Sequence, residues 1–267
     1  MTTTATATAT PAVRLTHARV LRSEWHKLWT LRSTWITVLT AVALTLGVGV
    51  LMGATYTSGG GDSDVDTVVL TLYGSQLAGI SLAVLGILVT AGEYSTGLAR
   101  ATFTAVPARL PVLWAKAAVL GATVLAVCLL TNAATFLTAQ VFLGGTDQAA
   151  SLTDDGVLGA LAGNAAGLTL LSLLALGLGA ALRSVPGALG AFIGGVLVLP
   201  EVLGMLPYDA VDTALRHFPT QAAGVLGSAT PLPGAPSAGA ALLALSLWAA
   251  AALALPALSL RRQDVRG

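Results

Sequence analysis

Six long apolar segments divide the 267-residue chain, and the charged residues between them are sorted by sign. Lys and Arg fall in alternate connections: before the first segment, between the second and third, between the fourth and fifth, and after the sixth. Twelve of the 13 basic residues lie in these connections: Arg14, Arg19, Arg22, Lys27, Arg32, Arg100, Arg109, Lys116, Arg183, Arg261, Arg262 and Arg266. Only Arg216 falls on the other side. Because short loops rich in Lys and Arg stay cytoplasmic during membrane insertion, this sorting predicts six spans with both termini inside.

The acidic residues show the opposite sorting, since eight of the 12 lie in the other set of connections. These are Asp62, Asp64, Asp66, Asp147, Asp154, Asp155, Asp209 and Asp212. Only 9% of the chain is charged, against about 25% in a soluble domain, so a water-soluble globular protein is excluded. The basic residues form no continuous stripe with interleaved aromatics, which argues against nucleic-acid binding. The sequence predicts an all-α, multi-pass membrane protein.

The predicted spans each approach or exceed the roughly 20 helical residues that cross a bilayer core. They cover residues 35–53, 69–91, 116–143, 157–182, 187–206 and 238–260. Residues 1–12, a Thr/Ala tract, are expected to be a disordered tail, and residues 13–267 a single membrane domain. The fifth span is interrupted by Pro200-Glu201 and Pro207. A broken or re-entrant outer segment is therefore predicted between the fifth and sixth spans, with Val211, Leu215 and Phe218 on its apolar side.

Residues 13–33 are predicted to form an amphipathic helix on the cytoplasmic leaflet. At 100° per residue, Trp25, Leu28 and Trp29 gather near Leu21 on one face. The opposite, polar face carries Arg19, Ser23, His26, Lys27 and Thr30. Tryptophans opposite basic residues are typical of a helix that lies in the headgroup region, with Leu21, Trp25, Lys27, Leu28 and Trp29 as its interfacial residues. The alternative is an ordinary juxtamembrane flank with tryptophan anchors.

The connection between the second and third spans, residues 92–117, is longer than an inside loop requires. Glu93 stands at the membrane exit of the second span, and Ser95, Thr96 and Gly97 give a helix-start signal. A short cytoplasmic helix is predicted after it. Pro107 and Pro111 would close that segment before the third span begins near Lys116.

At these residues the chain resembles the permease subunits of ABC transporters of the ABC-2 (type V exporter) class, in an actinobacterial form. The likeness includes Ser23-Glu24-Trp25-His26-Lys27-Leu28 and Leu31-Arg32-Ser33-Thr34-Trp35, then Gly92-Glu93-Tyr94 with Gly97, Arg100 and Pro107-x-Arg109, and the basic tail Arg261-Arg262-Gln263-Asp264. Six spans with both ends inside and a broken outer segment before the last also match. The likeness covers nearly the whole chain.

The resemblance implies a half-transporter that moves a hydrophobic or amphipathic substrate outward. A separate ATP-binding subunit, which holds ATP and magnesium, would dock on the connection between the second and third spans. The ATPase-coupling residues would be Glu93, Tyr94, Gly97, Arg100, Pro107 and Arg109. A second permease chain, identical or different, would complete the membrane part, which would lie in the lipid of the bacterial cell membrane.

No ATPase chemistry is expected from this chain, because it has no GxxxxGK[ST] loop. Gly59-Gly60-Gly61-Asp62 lacks the lysine and lies in a predicted outer turn. The chain is thus predicted not to be an enzyme by itself and to bind no cofactor. His17, His26 and His217 are too scattered for a metal site.

Polar residues within the spans are candidates for a substrate pathway: Glu201, Asn132, Gln140 and Asn164. The alternative is that the amides simply join helices. Three other functions remain open. An intramembrane protease would need catalytic pairs that the spans lack. An ion-driven secondary transporter would carry mid-membrane charges and repeated halves. A non-transport scaffold would not need the long connection after the second span.

Overall fold

A computed structural model describes residues 16–58, 65–95, 97, 109–231 and 234–264, so the predicted tail at residues 1–12 lies outside the described residues. Within these ranges the chain is helical, without strands, and six helices are long and apolar enough to cross a membrane. They are α2 (Arg32–Thr55), α4 (Ser75–Ser95), α5 (Arg109–Leu143), α6 (Val157–Leu182), the interrupted helix that begins at Val185 and ends at Leu203, and α11 (Ala238–Asp264). The all-α class is confirmed for the described residues, which contain six helices of membrane-spanning length as predicted.

Two of the long helices begin at some distance from the approximate starts predicted for their spans. The second span does not start at residue 69, because a short helix, α3 (Thr67–Thr71), ends in a turn before α4 begins. The Asp66 carboxylate caps α3 by accepting the amide hydrogens of Val68 and Val69. The third span starts at Arg109 rather than near Lys116, and Pro111 lies in its first turn. Proline is tolerated there because the amide that it lacks has no acceptor within the helix.

The core lies where α4 and α6 pack side by side, with α2, α5 and α11 around them. Gly86 of α4 makes a close approach possible, since a Cβ there would collide with the backbone carbonyl of Ser172. α6 is the most buried span, with 67% of its most apolar stretch inside the protein. The corresponding fraction is 22% for the interrupted fifth span. The fifth span therefore sits at the edge of the bundle.

Contacts between distant residues define two ends of the bundle. At one end, which we call the basic end, the Lys116 ammonium meets Glu24 and the Arg183 guanidinium lies over the Tyr94 ring. Arg183 also donates to the Ser259 hydroxyl, which brings α11 to this end. At the opposite, acidic end, Tyr56 donates to Asp147, and Asp66 accepts from the amide and hydroxyl of Thr230. The charge sorting of the sequence thus reappears as two separate ends.

The fifth span changes its helical pitch before the proline. It consists of α7 (Val185–Phe192), a π-helical segment (Ile193–Val198) and α8 (Leu199–Leu203). Pro200 stands in the first turn of α8. Proline has no N–H to donate, and its ring collides with the carbonyl of the preceding turn in a regular α-helix. Because the preceding π turn is wider, the helix continues to Leu203 instead of breaking at Pro200.

Two short helices, α9 (Asp209–Leu215) and α10 (Pro219–Leu226), follow at the acidic end. The sequence pattern places the apolar side of this segment at Val211, Leu215 and Phe218, and these three are half-buried while the residues between them are exposed. The next helix, α10, buries Pro219, Ala222 and Leu226 against α6 and α11. Residues 219–226 are therefore the part of this connection that packs into the bundle.

The N-terminal helix is shorter than predicted and is separated from the first span. α1 covers His17–Thr30, and Leu31 is extended, with φ −80° and ψ 127°, before α2 starts at Arg32. Val20 of α1 packs against Val112 and Ala115 of α5 in a small apolar cluster. The break at Leu31 lets α1 turn away from the direction of α2 and lie against the basic end.

Candidate functional site

Four charged side chains meet at the basic end, and we call them the charged cluster: Glu24 and Lys27 of α1, Glu93 of α4 and Lys116 of α5. The Lys116 ammonium lies 2.7 Å from a carboxylate oxygen of Glu24 and 2.7 Å from one of Glu93. The Lys27 ammonium lies 2.8 Å from Glu24 and 3.3 Å from Glu93. Each lysine therefore bridges both glutamates, and the four contacts close a ring across three helices.

The charged cluster is buried unevenly. The Glu24 and Lys116 side chains are 4% and 7% exposed, while Lys27 is 34% exposed. Removing one charge of a buried pair typically costs about 3–5 kcal/mol because the other charge is left without compensation. Two lysines and two glutamates balance in formal charge, and each of the four contacts is a charge-assisted hydrogen bond. Burial is therefore tolerated only while all three helices stay in place.

The local sequence explains how these side chains converge. Glu24 and Lys27 are three residues apart and share one face of α1. Glu93 lies in the last turn of α4, and Lys116 lies about two turns into α5. The apolar contact of Val20 with α5 seats the helix next to them. The three helices thus bring their charges into direct contact.

Lys27 remains positively charged in this setting. Partial burial lowers the pKa of Lys27, but hydrogen bonding and Coulomb attraction from Glu24 and Glu93 outweigh it, so the pKa stands above its ordinary 10.5. At neutral pH the ammonium is thus a permanent member of the charged cluster. A protonation switch at this lysine is not expected in the physiological range.

A cavity of about 240 Å³ opens beside the charged cluster. All four charged side chains line it, together with apolar groups that include Leu28, Leu88 and Val119. Because the carboxylates and ammonium groups already engage one another, the cavity offers little unsatisfied polarity to a ligand.

The predicted coupling residues fall partly in and partly outside this region. Glu93 belongs to the charged cluster, and the Tyr94 ring faces the Arg183 guanidinium at 5.5 Å, a cation–π distance. Gly97 has φ +76°, a left-handed conformation that suits glycine. Arg109 is the first residue of α5. Arg100 and Pro107 lie outside the described residues, as does the short cytoplasmic helix predicted around them.

The residues predicted to be interfacial divide between two environments. Leu21 and Trp25 are exposed, and Leu28 is buried against the bundle. Trp29 packs between Trp25 and Trp35, with ring centroids 5.7 and 5.0 Å away. Lys27 was expected on the outward polar face, but its ammonium turns toward Glu24 and Glu93. Lys27 is thus 34% exposed and is also ion-paired to carboxylates of two helices.

The amides proposed for a pathway mostly hold helices together. The Asn132 side chain is 1% exposed and donates to the Leu161 carbonyl and to Asn164 Oδ1. Asn164 in turn donates to the Ser75 hydroxyl, so three spans share one network. Gln140 accepts the amide hydrogen of Ala150 and thereby fixes the turn after α5. Glu201 takes no part in this network and lines a second, larger cavity at the acidic end.

Sequence reasoning did not single out Glu24 and Lys116 as site residues. Two signals were available: an acid in an otherwise basic helix, and a lysine placed at the start of an apolar span. Either charge alone suggests only a membrane boundary. Their pairing becomes visible once the helices are assembled in three dimensions.

No protein-family model, curated protein or solved structure matches the chain. Evidence on function comes from the residues of the chain itself. Two features stand out among the described residues: the charged cluster at the basic end and the larger cavity at the acidic end.

Proposed function

We propose that the chain is the membrane-spanning permease subunit of an ABC exporter and that a separate ATP-binding subunit docks on the basic end. The observation that carries the proposal is the charged cluster, which joins α1, α4 and α5 next to the connection between α4 and α5. That connection is the segment in which the sequence resembles the coupling surface of ABC-2 permeases. A force applied there would reach three helices through short ionic contacts.

The position of Glu93 supports this route for the force. Glu93 lies in the last turn of α4, immediately before the connection, and one of its carboxylate oxygens accepts from both Lys27 and Lys116. A displacement of the connection would therefore pull α1 and α5 together with α4. Packed ionic contacts of this kind hold discrete arrangements, which is how small shifts at a docking surface become larger helix motions.

The sorting of charge supports a cytoplasmic basic end, because short loops rich in Lys and Arg stay inside. A cytoplasmic basic end is the side on which a soluble ATPase could reach the chain. ATP and magnesium would bind to that partner, since this sequence has no phosphate-binding loop. The cargo would be a hydrophobic or amphipathic molecule that moves outward.

A second permease chain would cover the least buried spans. α2 and the interrupted fifth span have 33% and 22% of their apolar stretches inside the protein. Large apolar side chains of α2, among them Trp35, Ile36 and Leu39, face outward. In a half-transporter one such face would meet lipid and the other a second copy or a related chain.

Co-purification tests the proposal. The chain, tagged at its C-terminus, would be extracted gently from membranes of its native host, and bound proteins would be identified and quantified. We expect a soluble ATP-binding protein in stoichiometric amount. Arg100→Glu, in the proposed docking connection, should abolish its recovery. Asp155→Asn, which removes a charge at the acidic end, should leave recovery unchanged.

A folded chain that recovers no ATPase in several mild detergents would overturn the proposal. So would equal loss of the ATPase in both variants, because the loss would then not depend on the docking connection. Folding of each variant is checked by its size-exclusion profile and thermal transition before the comparison.

An ion-driven transporter is the second candidate, and one observation favours it: Glu24 and Lys116 are ionisable groups buried at the edge of the membrane domain. Buried ionisable groups can relay protons. Such a transporter would purify without an ATPase. Proteoliposomes that contain only this chain would dissipate an imposed proton gradient, and Glu24→Gln would stop that flux.

A further inference from the structure

A cavity of about 450 Å³ lies at the acidic end, between α4, α6, α10 and the fifth span. Its volume falls within the roughly 300–1,000 Å³ of typical small-molecule sites. Apolar side chains form most of its walls, including Leu72, Leu168 and Phe192. A molecule that entered it would therefore place a hydrophobic body against these walls.

Glu201 is the one charged residue among the described residues that line this cavity. Its side chain is exposed, and its carboxylate makes no hydrogen bond or ion pair with any residue in the described ranges. Thr220 Oγ1, also in the lining, is buried and has no hydrogen-bond partner there. The Asn164 amide, by contrast, is already bonded to Ser75. The polarity left for a ligand is thus the Glu201 carboxylate, the Thr220 hydroxyl and the neutral amides of Gln76 and Gln221, so the carboxylate is the group that can select a charge.

The fold places Glu201 late in the fifth span, after a change of helical pitch. The π-helical segment Ile193–Val198 precedes it, and Leu197 of that segment lines the same cavity. π turns inside helices recur at functional sites because they rotate the following residues relative to a regular helix. Here the rotation leaves the Glu201 carboxylate at the rim of an apolar chamber.

The electrostatic field at this end favours positive ligands. The described residues in the connections of the acidic end include six aspartates and a single Arg or Lys, Arg216. Carboxylates around a low-dielectric opening attract cations and repel anions over a distance of about a Debye length. The aspartates around the acidic end and the Glu201 carboxylate in the cavity therefore both favour a positively charged ligand.

We propose that this cavity binds an amphipathic cation, that is, a hydrophobic molecule with one protonated amine or other onium group. The apolar walls hold the hydrophobic body, and Glu201 pairs with the cationic group. The identification of this molecule as export cargo rests on the proposed function, whereas the binding site does not. A neutral or anionic amphiphile of the same size would lack the partner that Glu201 offers.

Equilibrium binding of tetraphenylphosphonium tests the proposal. The full chain would be placed in nanodiscs of zwitterionic lipid, and binding to empty nanodiscs would be subtracted. Tetraphenylborate, an anion of the same shape, serves as the ligand control. We expect saturable binding of the cation and none of the anion. Glu201→Gln keeps the side-chain shape and should raise Kd about five-fold, the effect of one lost ionic contact at an exposed carboxylate.

Two further variants locate the binding. Gly224 lines the cavity and has open space around its Cβ direction, so Gly224→Leu should fill part of the chamber and weaken binding as much. Asp212→Asn removes an exposed acid of α9 outside the cavity lining and should change Kd by less than about two-fold. The ATPase is absent from this assay, so a failed co-purification and a failed binding experiment can be told apart.

Several results would overturn the proposal. One is equal binding of tetraphenylphosphonium and tetraphenylborate, and another is the absence of saturable binding above empty nanodiscs. An unchanged Kd in Glu201→Gln would exclude the carboxylate as the cation's partner. An unchanged Kd in Gly224→Leu would place the binding elsewhere on the protein.

Discussion

The Lys116 ammonium lies 2.7 Å from the Glu24 carboxylate although 92 residues separate them along the chain. The same ammonium lies 2.7 Å from Glu93 at the end of α4. One lysine thus connects the N-terminal helix to two membrane-spanning helices. This contact makes α1 part of the bundle rather than an independent surface helix.

Lys116→Met should lower the stability of the chain by about 3 kcal/mol, because it leaves two carboxylates facing each other with one partner fewer in a buried site. Methionine is chosen because it keeps most of the length and packing of the lysine stem. The measurement is the free energy or midpoint of unfolding in one detergent at one pH. Lys27→Met is the matched control, and its effect should be clearly smaller since Lys27 is 34% exposed.

A double-mutant cycle then isolates the contact between Glu24 and Lys116. Glu24→Gln combined with Lys116→Met should be less destabilising than the sum of the single changes, with a coupling energy of about 1–3 kcal/mol. Strict additivity would mean that the two residues do not interact in the folded protein. That result would remove the structural basis of the charged cluster.

The spans could be predicted from sequence because apolar length is a local property. Twenty or so consecutive apolar residues must form a helix in lipid, where every backbone polar group needs a partner within the segment. The residues at which these helices begin are harder to predict from the sequence. Asp66 starts a separate short helix by capping Val68 and Val69, and the hydropathy of residues 69–74 gives no sign of the turn that follows.

The candidate sites could be predicted only in part, because side-chain partners are chosen in three dimensions. Glu93 was singled out by its position at a membrane exit, but nothing local showed that Glu24 and Lys116 would face it. The π-helical segment before Glu201 also has no sequence signature of its own. Pro200 suggested a break in the helix, whereas the helix continues through it after a π-helical segment.

Asn132→Leu should reduce detergent stability by about 1 kcal/mol, the typical strength of a hydrogen bond between membrane helices. Asn132 is buried and donates to Leu161 and Asn164 across the interface of α5 and α6. Thr138→Val is the control, since the exposed Thr138 hydroxyl bonds only to carbonyls of its own helix. Thermal unfolding followed by size-exclusion chromatography provides the comparison. If the two variants lose the same stability, the amide network does not join the helices.

The close-packed glycines provide a second, independent test of the helix contacts. A Cβ at Gly163 would collide with the backbone of Leu226, so Gly163→Ala should separate α6 from α10 and destabilise the chain by about 1–3 kcal/mol. Nothing lies within 4 Å of a Cβ at Gly190, which faces outward from α7. Gly190→Ala should therefore leave the unfolding midpoint unchanged or slightly raised, because alanine favours the helix. A similar loss in both variants would contradict the close packing of α10 on α6.

Which compartment each end faces can be measured with introduced cysteines. The native Cys128 is buried in α5 and is first replaced by alanine to give a background without thiols. His26→Cys then places a thiol on the exposed side of α1, and Asp155→Cys places one before α6 at the acidic end. The positive-inside rule predicts that a membrane-impermeant maleimide labels Asp155→Cys on intact cells. It should label His26→Cys only after the membrane is opened. The reverse pattern would turn the basic end outward and remove the side on which a cytoplasmic ATPase is proposed to dock.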